Sequence, residues 1–153
     1  MAEKHTDWNG LYRGKIAKAE GQNYGEPTVD VVEGRGTDRY SLTHERGFQW
    51  GYDGSGPARL AEAILADSWP YVHPRPPTTL DDLDRDYRVA IITAFRSDHL
   101  EPLEQWAEFV LPRSTVTRWI AGFIAASCET CGGRGVPNTT RTACTDCDGT
   151  GRR

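Results

Sequence analysis

All four cysteines of the chain lie in its last 26 residues, as Cys128-Glu129-Thr130-Cys131 and Cys144-Thr145-Asp146-Cys147, with twelve residues between the pairs. Each pair runs on into glycines, Gly132, Gly133 and Gly135 after the first and Gly149 and Gly151 after the second. A C-x-x-C sets two sulfurs on one tight turn, and a second such turn across a hairpin supplies two more, which completes a tetrahedral zinc site. Zinc can fold a segment too poor in apolar residues to fold alone. Glycine after the second cysteine tolerates positive φ and lets backbone N–H groups point back at the thiolates. The chain therefore divides into a cysteine-free body, residues 1–127, and a cysteine-rich tail, residues 128–153.

Two other uses of such cysteines compete with zinc: a pair of disulfides, and redox chemistry at one C-x-x-C. The N-terminal residues Met1 to Asp7 contain no apolar stretch, so no signal peptide is expected. No run of about 18 apolar residues is present, so no membrane span is expected either. These expectations point to the cytoplasm, where thiols stay reduced and serve as metal ligands. A redox C-x-x-C needs only one motif and normally opens a helix after a strand. The reading that follows is one structural Zn²⁺ held by Cys128, Cys131, Cys144 and Cys147, with no open coordination position for catalysis.

Both halves of the tail read C-x-x-C-x-G-x-G, and in this the tail resembles half of the cysteine-rich zinc domain of DnaJ-type co-chaperones. In that family four such repeats build two zinc sites, so two repeats imply one. The J-domain signature His-Pro-Asp has no counterpart: the nearest match, His73-Pro74-Arg75, lacks the aspartate and sits in a proline-rich stretch. Hsp70 stimulation is therefore not implied. Small proteins of the anti-TRAP type carry half of this domain and use it to bind another protein, which is what the resemblance implies here.

The body is read from its periodicities. Residues 11–16 suit a first strand, and the alternating β-branched run at 28–32, bounded by Pro27 and Gly34, suits a second. Residues 40–50 are expected to hold a further strand pair. Gly54-Ser55-Gly56-Pro57 has the chemistry of a helix start, and alanine and leucine carry that helix to Asp67 with Leu60, Ala63 and Ile64 inward. A second helix is expected over 80–99, opened by the acidic Asp81, Asp82 and Asp84, with Tyr87, Ala90, Ile91, Ala94 and Phe95 as its apolar face. A strand over 106–111 and a third helix from Ser114, with Val116, Trp119, Ile120, Phe123 and Ile124 inward, complete the body. Residues 70–77, with four prolines, read as an exposed loop. The expected class is α+β: a small antiparallel sheet with about three helices, plus a C-terminal zinc hairpin joined directly to the last helix.

The block Gly47-Phe48-Gln49-Trp50-Gly51-Tyr52-Asp53-Gly54-Ser55-Gly56-Pro57-Ala58 adds a second resemblance. It is similar to the G-F-x-W-G-Y-x-G-S-G-P-A block of an uncharacterised domain found in actinobacterial and bacteriophage proteins, over residues 11–124. That resemblance implies a source but no activity.

Three functional readings follow. The leading one is a non-enzymatic, zinc-binding protein-interaction module or regulator, with the hairpin residues Arg134, Arg141, Arg152 and Arg153 as partner contacts. The second uses the same arginines on nucleic acid. The body's net charge of −5 opposes that, and the tail's +1 does little to help before the thiolates are counted. The third is an anion or nucleotide held at Gly54, Ser55 and Gly56, where free helix N–H groups are available, although neither nucleotide fingerprint is present. The four histidines, His5, His44, His73 and His99, fall in no catalytic or metal-binding spacing, so no catalytic residue is assigned.

Overall fold

Alternating side chains in the first two strands decide which face of the sheet is buried. A computed structural model describes residues 10–17, 20–21, 25–33, 38–76 and 78–127. Strands β1 (Leu11–Ala17), β2 (Glu26–Glu33), β3 (Asp38–Leu42) and β4 (Phe109–Pro112) form one antiparallel sheet in the order β3-β2-β1-β4. Tyr12 pairs with Val31 on one side and Leu111 on the other, and Gly14 pairs with Val29 and Phe109. Tyr12, Val29, Val31 and Phe109 are buried, so this face carries the core. Gly14 leaves room for the Phe109 ring: a Cβ there would meet it at 2.1 Å.

Three helices cover that face. In α1 (Ser55–Ser68) Leu60, Ala61, Ile64 and Leu65 are buried, one helical stripe. α1 packs against both α2 (Arg85–Phe95) and α3 (Arg113–Ala125), which contribute Ile91 and Phe95, and Val116 and Ile120. The α+β class and the small antiparallel sheet expected from the sequence are thus present, and the cysteine-rich tail lies outside the described residues.

Four local expectations need correction. Residues 40–50 do not form a strand pair: β3 stops at Leu42, and Phe48 and Trp50 leave the sheet to enter the core. Trp50 packs edge-on to Phe109 at 4.8 Å, and its Nε1–H donates to the Ala107 carbonyl at 2.8 Å. The second helix starts at Arg85, not Leu80, because the Asp84 carboxylate accepts from the Asp86 N–H and caps it there. Leu80 is buried all the same, from a turn. The second helix also widens after Phe95 into a π-helical turn, Arg96–Leu100, closed by the Glu101 N–H on the Arg96 carbonyl. The proline-rich stretch opens with a 3₁₀ turn, Trp69–Tyr71, and Val72 is fully buried, so its start is part of the core and not an exposed loop.

The π turn has a structural consequence. It presents the Leu100 carbonyl to the Gly51 N–H at 2.9 Å. Gly51 has φ +86°, and a Cβ there would sit 2.6 Å from the Gln105 backbone nitrogen and 2.7 Å from the Leu103 carbonyl oxygen. Side chains are excluded on both counts, conformational and steric. Gly51→Ala should therefore lower unfolding free energy by on the order of 2 kcal/mol or more, counting the left-handed backbone alone at about 1–2 kcal/mol. Urea denaturation measures it, and a loss within experimental error would show that the 100–107 loop moves aside freely.

Candidate functional site

Arg113 is the first residue of α3 and the only charged side chain among the described residues with no solvent exposure. It shares helical phase with Val116, Thr117 and Ile120, which is why it points inward. Its Nη2 lies 2.9 Å from each of three oxygens: Glu33 Oε1 at the end of β2, Asp67 Oδ2 near the end of α1, and the Tyr40 hydroxyl on β3. Its Nε–H is aimed at the Tyr12 hydroxyl, 3.5 Å away. The guanidinium carbon stacks on the Tyr71 ring at 4.3 Å. Gly10 lies against the guanidinium, where a Cβ would meet Nη1 at 2.7 Å. The Arg113 N–H also donates to the Gly10 carbonyl at 2.7 Å.

Asp67 is the second centre. Tyr12 donates to its Oδ2 at 2.6 Å and Tyr40 to its Oδ1 at 2.5 Å. With the Tyr12 proton committed to Asp67, the buried Ser68 hydroxyl is placed to donate to the Tyr12 oxygen at 2.5 Å. Burial, reinforced by the Asp67 carboxylate, holds both phenols protonated well above the usual tyrosine range. For Arg113 the largest influence is burial, which opposes its charge, but the Tyr12 and Asp67 oxygens outweigh it and keep the guanidinium cationic. The two Nη2 hydrogens are shared among three oxygens, and the cluster joins every strand but β4 to α1, α3 and the 3₁₀ turn. Such a cluster fixes geometry.

The turn 54–56 is placed at the N-terminus of α1. Gly54 is its N-cap in extended conformation, Ser55 is exposed, and Gly56 is buried. The Tyr52 ring lies against both glycines: a Cβ at Gly54 would meet ring carbon Cε2 at 2.4 Å, and one at Gly56 the hydroxyl at 2.9 Å. Tyr52 in turn donates to the Gln49 side-chain carbonyl. The glycines of this turn are accounted for by that close approach. Neighbouring Asp53 pairs with Arg96 at 2.9 Å. Cys128, Cys131, Cys144, Cys147, Arg134, Arg141, Arg152 and Arg153 all lie outside the described residues. Among the described residues no three His, Cys, Asp or Glu side chains converge to hold a metal ion, and no helix is long and apolar enough to cross a membrane.

Two further residues stand apart from the sequence reading. Trp106 is a bulky side chain at φ +64°, about half exposed, in a loop pinned by the Trp50 and Gly51 hydrogen bonds. His99 is packed against Phe95 at 5.0 Å and Trp119 at 6.1 Å, with Nε2 buried and unpartnered among the described residues. Burial pushes its pKa down, with Asp98 opposing.

Two outcomes follow for the cluster and for His99. Arg113→Met leaves two largely buried carboxylates without their cation and should cost on the order of 3–5 kcal/mol in urea denaturation. Arg113→Lys should recover only part of it, since one ammonium cannot reach the same oxygens in a fork. Full stability in Arg113→Met would mean that water serves those carboxylates. For His99 the folded pKa lies below the unfolded one, so its contribution is complete above about pH 6.5. It is lost as pH falls below that value towards the depressed folded pKa. Stability measured from pH 7.5 downward should fall more steeply in the wild type than in His99→Gln; parallel curves would show that His99 protonates freely in the fold.

A family model, described as a family of unknown function (DUF6166), matches residues 12–122, well over half of the chain. Nothing among the curated proteins and no solved structure matches it.

Proposed function

The chain belongs to the family of unknown function DUF6166, which passes on no activity, and from its own residues we propose a zinc-carrying protein-interaction module or regulator that works in the reducing cytoplasm. The observation that carries this reading is the pair of C-x-x-C-x-G-x-G repeats. Cys128, Cys131, Cys144 and Cys147 are a complete donor set for one structural zinc, and four thiolates leave the ion no position for substrate. The metal's part is to fold a segment with few apolar residues. Arg134, Arg141, Arg152 and Arg153 are the contacts offered to a protein partner.

The end of α3 supports a semi-rigid attachment for this tail. Ser127, the residue before Cys128, donates to the Phe123 carbonyl at 2.9 Å and is within 2.8 Å of the Tyr87 hydroxyl on α2. The Tyr87 ring lies 5.9 Å from that of Phe123. The chain is thus tied to two helices at the point where the tail begins, so a partner held by the tail would be held in a defined direction from the body.

Metal analysis of the purified protein should give one zinc per chain. Cys144→Ser should lose the zinc while the near-UV signal of the body's tryptophans persists. Protein isolated zinc-free with both cysteine pairs quantitatively oxidised would contradict the reading. Partner capture from lysate should require Cys144 together with Arg134 and Arg141. Tight, steeply salt-dependent binding to mixed-sequence DNA or RNA would replace the protein-partner reading by a nucleic-acid one.

A further inference from the structure

The face of the sheet opposite the core is covered by no described element. Strand register places its side chains in rows: Arg39, Val32, Leu11 and Pro112 in one, and Ser41, Asp30, Arg13 and Val110 in the next, with Thr28 and Lys15 beyond. Val110 is 59% exposed and Leu11 37%. Together with Val32 they form an aliphatic strip on a sheet face where polar side chains are the rule. A groove of about 270 Å³ runs along it, lined by Leu11, Arg13, Val32, Arg39, Glu108 and Val110 among others.

Cations stand immediately beside the strip. In the two rows of the strip Arg13 and Arg39 face one carboxylate, Asp30; Glu108 stands on the adjoining loop, and Lys15 and Glu26 lie farther along the same face. Asp30 is already committed: it pairs with Lys15 at 3.2 Å and accepts from Ser41 at 2.9 Å, and these contacts, with the Arg39 charge, hold its pKa below the ordinary value. Arg13 and Arg39 make no ion pair among the described residues. They stand beside the aliphatic strip on a body whose overall charge is negative.

We propose that this outer sheet face docks an acidic amphipathic segment of a protein partner, with aliphatic side chains on the Leu11–Val32–Val110 strip and carboxylates on Arg13 and Arg39. The occupant follows from complementarity of both kinds. The strip asks for aliphatic side chains, and the cations ask for carboxylates on either side of them. Nucleic acid fits less well: among the described residues the one aromatic side chain lining the groove, Phe109, is buried in the core and offers no stacking face, and the net negative body repels a polyanion. A helix laid on the bare face would give the sheet a second covering layer, the arrangement that buries both its sides. This surface is formed wholly by the body and does not depend on the zinc reading.

The test uses the full chain and a synthetic peptide of leucine and glutamate, with leucines at i, i+3, i+4 and i+7. Backbone amide shifts should move at Leu11, Arg13, Val32, Arg39 and Val110, and binding should weaken as salt is raised. The double variant Arg13→Glu, Arg39→Glu should lose at least tenfold in affinity, and Val110→Asp should lose a similar factor by placing a carboxylate in the strip. Both should keep the wild-type urea midpoint. Cys144→Ser should bind the peptide unchanged, which separates this surface from the tail. No shifts at these residues, or an equal response to a lysine–leucine peptide, would overturn the proposal. Tighter binding of a single-stranded oligonucleotide would replace the occupant by nucleic acid. Concentration-dependent shifts at the same residues without peptide would replace it by a second copy of this chain. Peptide binding that appears only after residues 128–153 are removed would replace it by the chain's own tail.

Discussion

The Arg113 guanidinium has no exposure to water, and its position is tolerable only because carboxylates and phenols from four other elements converge on it. A buried ion pair is a weak source of net stability, since desolvation offsets most of the attraction. Its effect is on geometry. Glu33, Tyr40, Asp67 and Tyr12 must all arrive together, which fixes the end of α1 over the sheet and the start of α3 beside β4. A sliding of either helix by a fraction of a turn would leave charged atoms buried and unpaired. The aliphatic core tolerates many arrangements of similar volume; this cluster tolerates few.

The fixed geometry also determines which surfaces remain for function. With the inner face committed to the core, the outer face of the sheet is left with an aliphatic strip and two cations that make no ion pair among the described residues. With α3 held at its start by Arg113 and at its end by Ser127 and Tyr87, the cysteine-rich tail departs from an anchored point. The glycine-rich block at 47–56 serves internal packing: Trp50 and Gly51 clamp the 100–107 loop, and Tyr52 lies on Gly54 and Gly56.

The elements legible in the sequence were those with a local cause. Alternation set β1 and β2, helical spacing and the Gly-Pro start set α1, and the apolar stripe of α3 placed Val116 and Ile120 inward. The misread elements had causes elsewhere in the chain. Phe48 and Trp50 alternate as strand residues do, but the partners of Trp50 are Phe109 and Ala107, beyond the reach of any local pattern. The spacing of the second helix extends back to Leu80, which is buried, so periodicity alone overran the Asp84 cap. Arg113 lies just before the expected helix start at Ser114, and its side-chain hydrogen-bond partners lie 46 to 101 residues away in sequence. One signal was present: Arg113 shares helical phase with Val116 and Ile120, and a charge on a buried stripe calls for partners. The four cysteines stand at the opposite extreme: the zinc site proposed for them is written entirely in local spacing.

The dependence of the fold on this cluster is tested most directly by a double-mutant cycle between Arg113→Met and Asp67→Asn, read by urea denaturation. The two groups meet at 2.9 Å and share Tyr12 and Tyr40 as neighbours, so the losses should be strongly non-additive. A coupling free energy on the order of 2 kcal/mol is expected, near the upper part of the range for groups in one polar network. Losses that add to within about 0.5 kcal/mol, as they do for independent sites, would show that Arg113 and Asp67 are held by the surrounding packing and do not themselves hold the sheet to the helices.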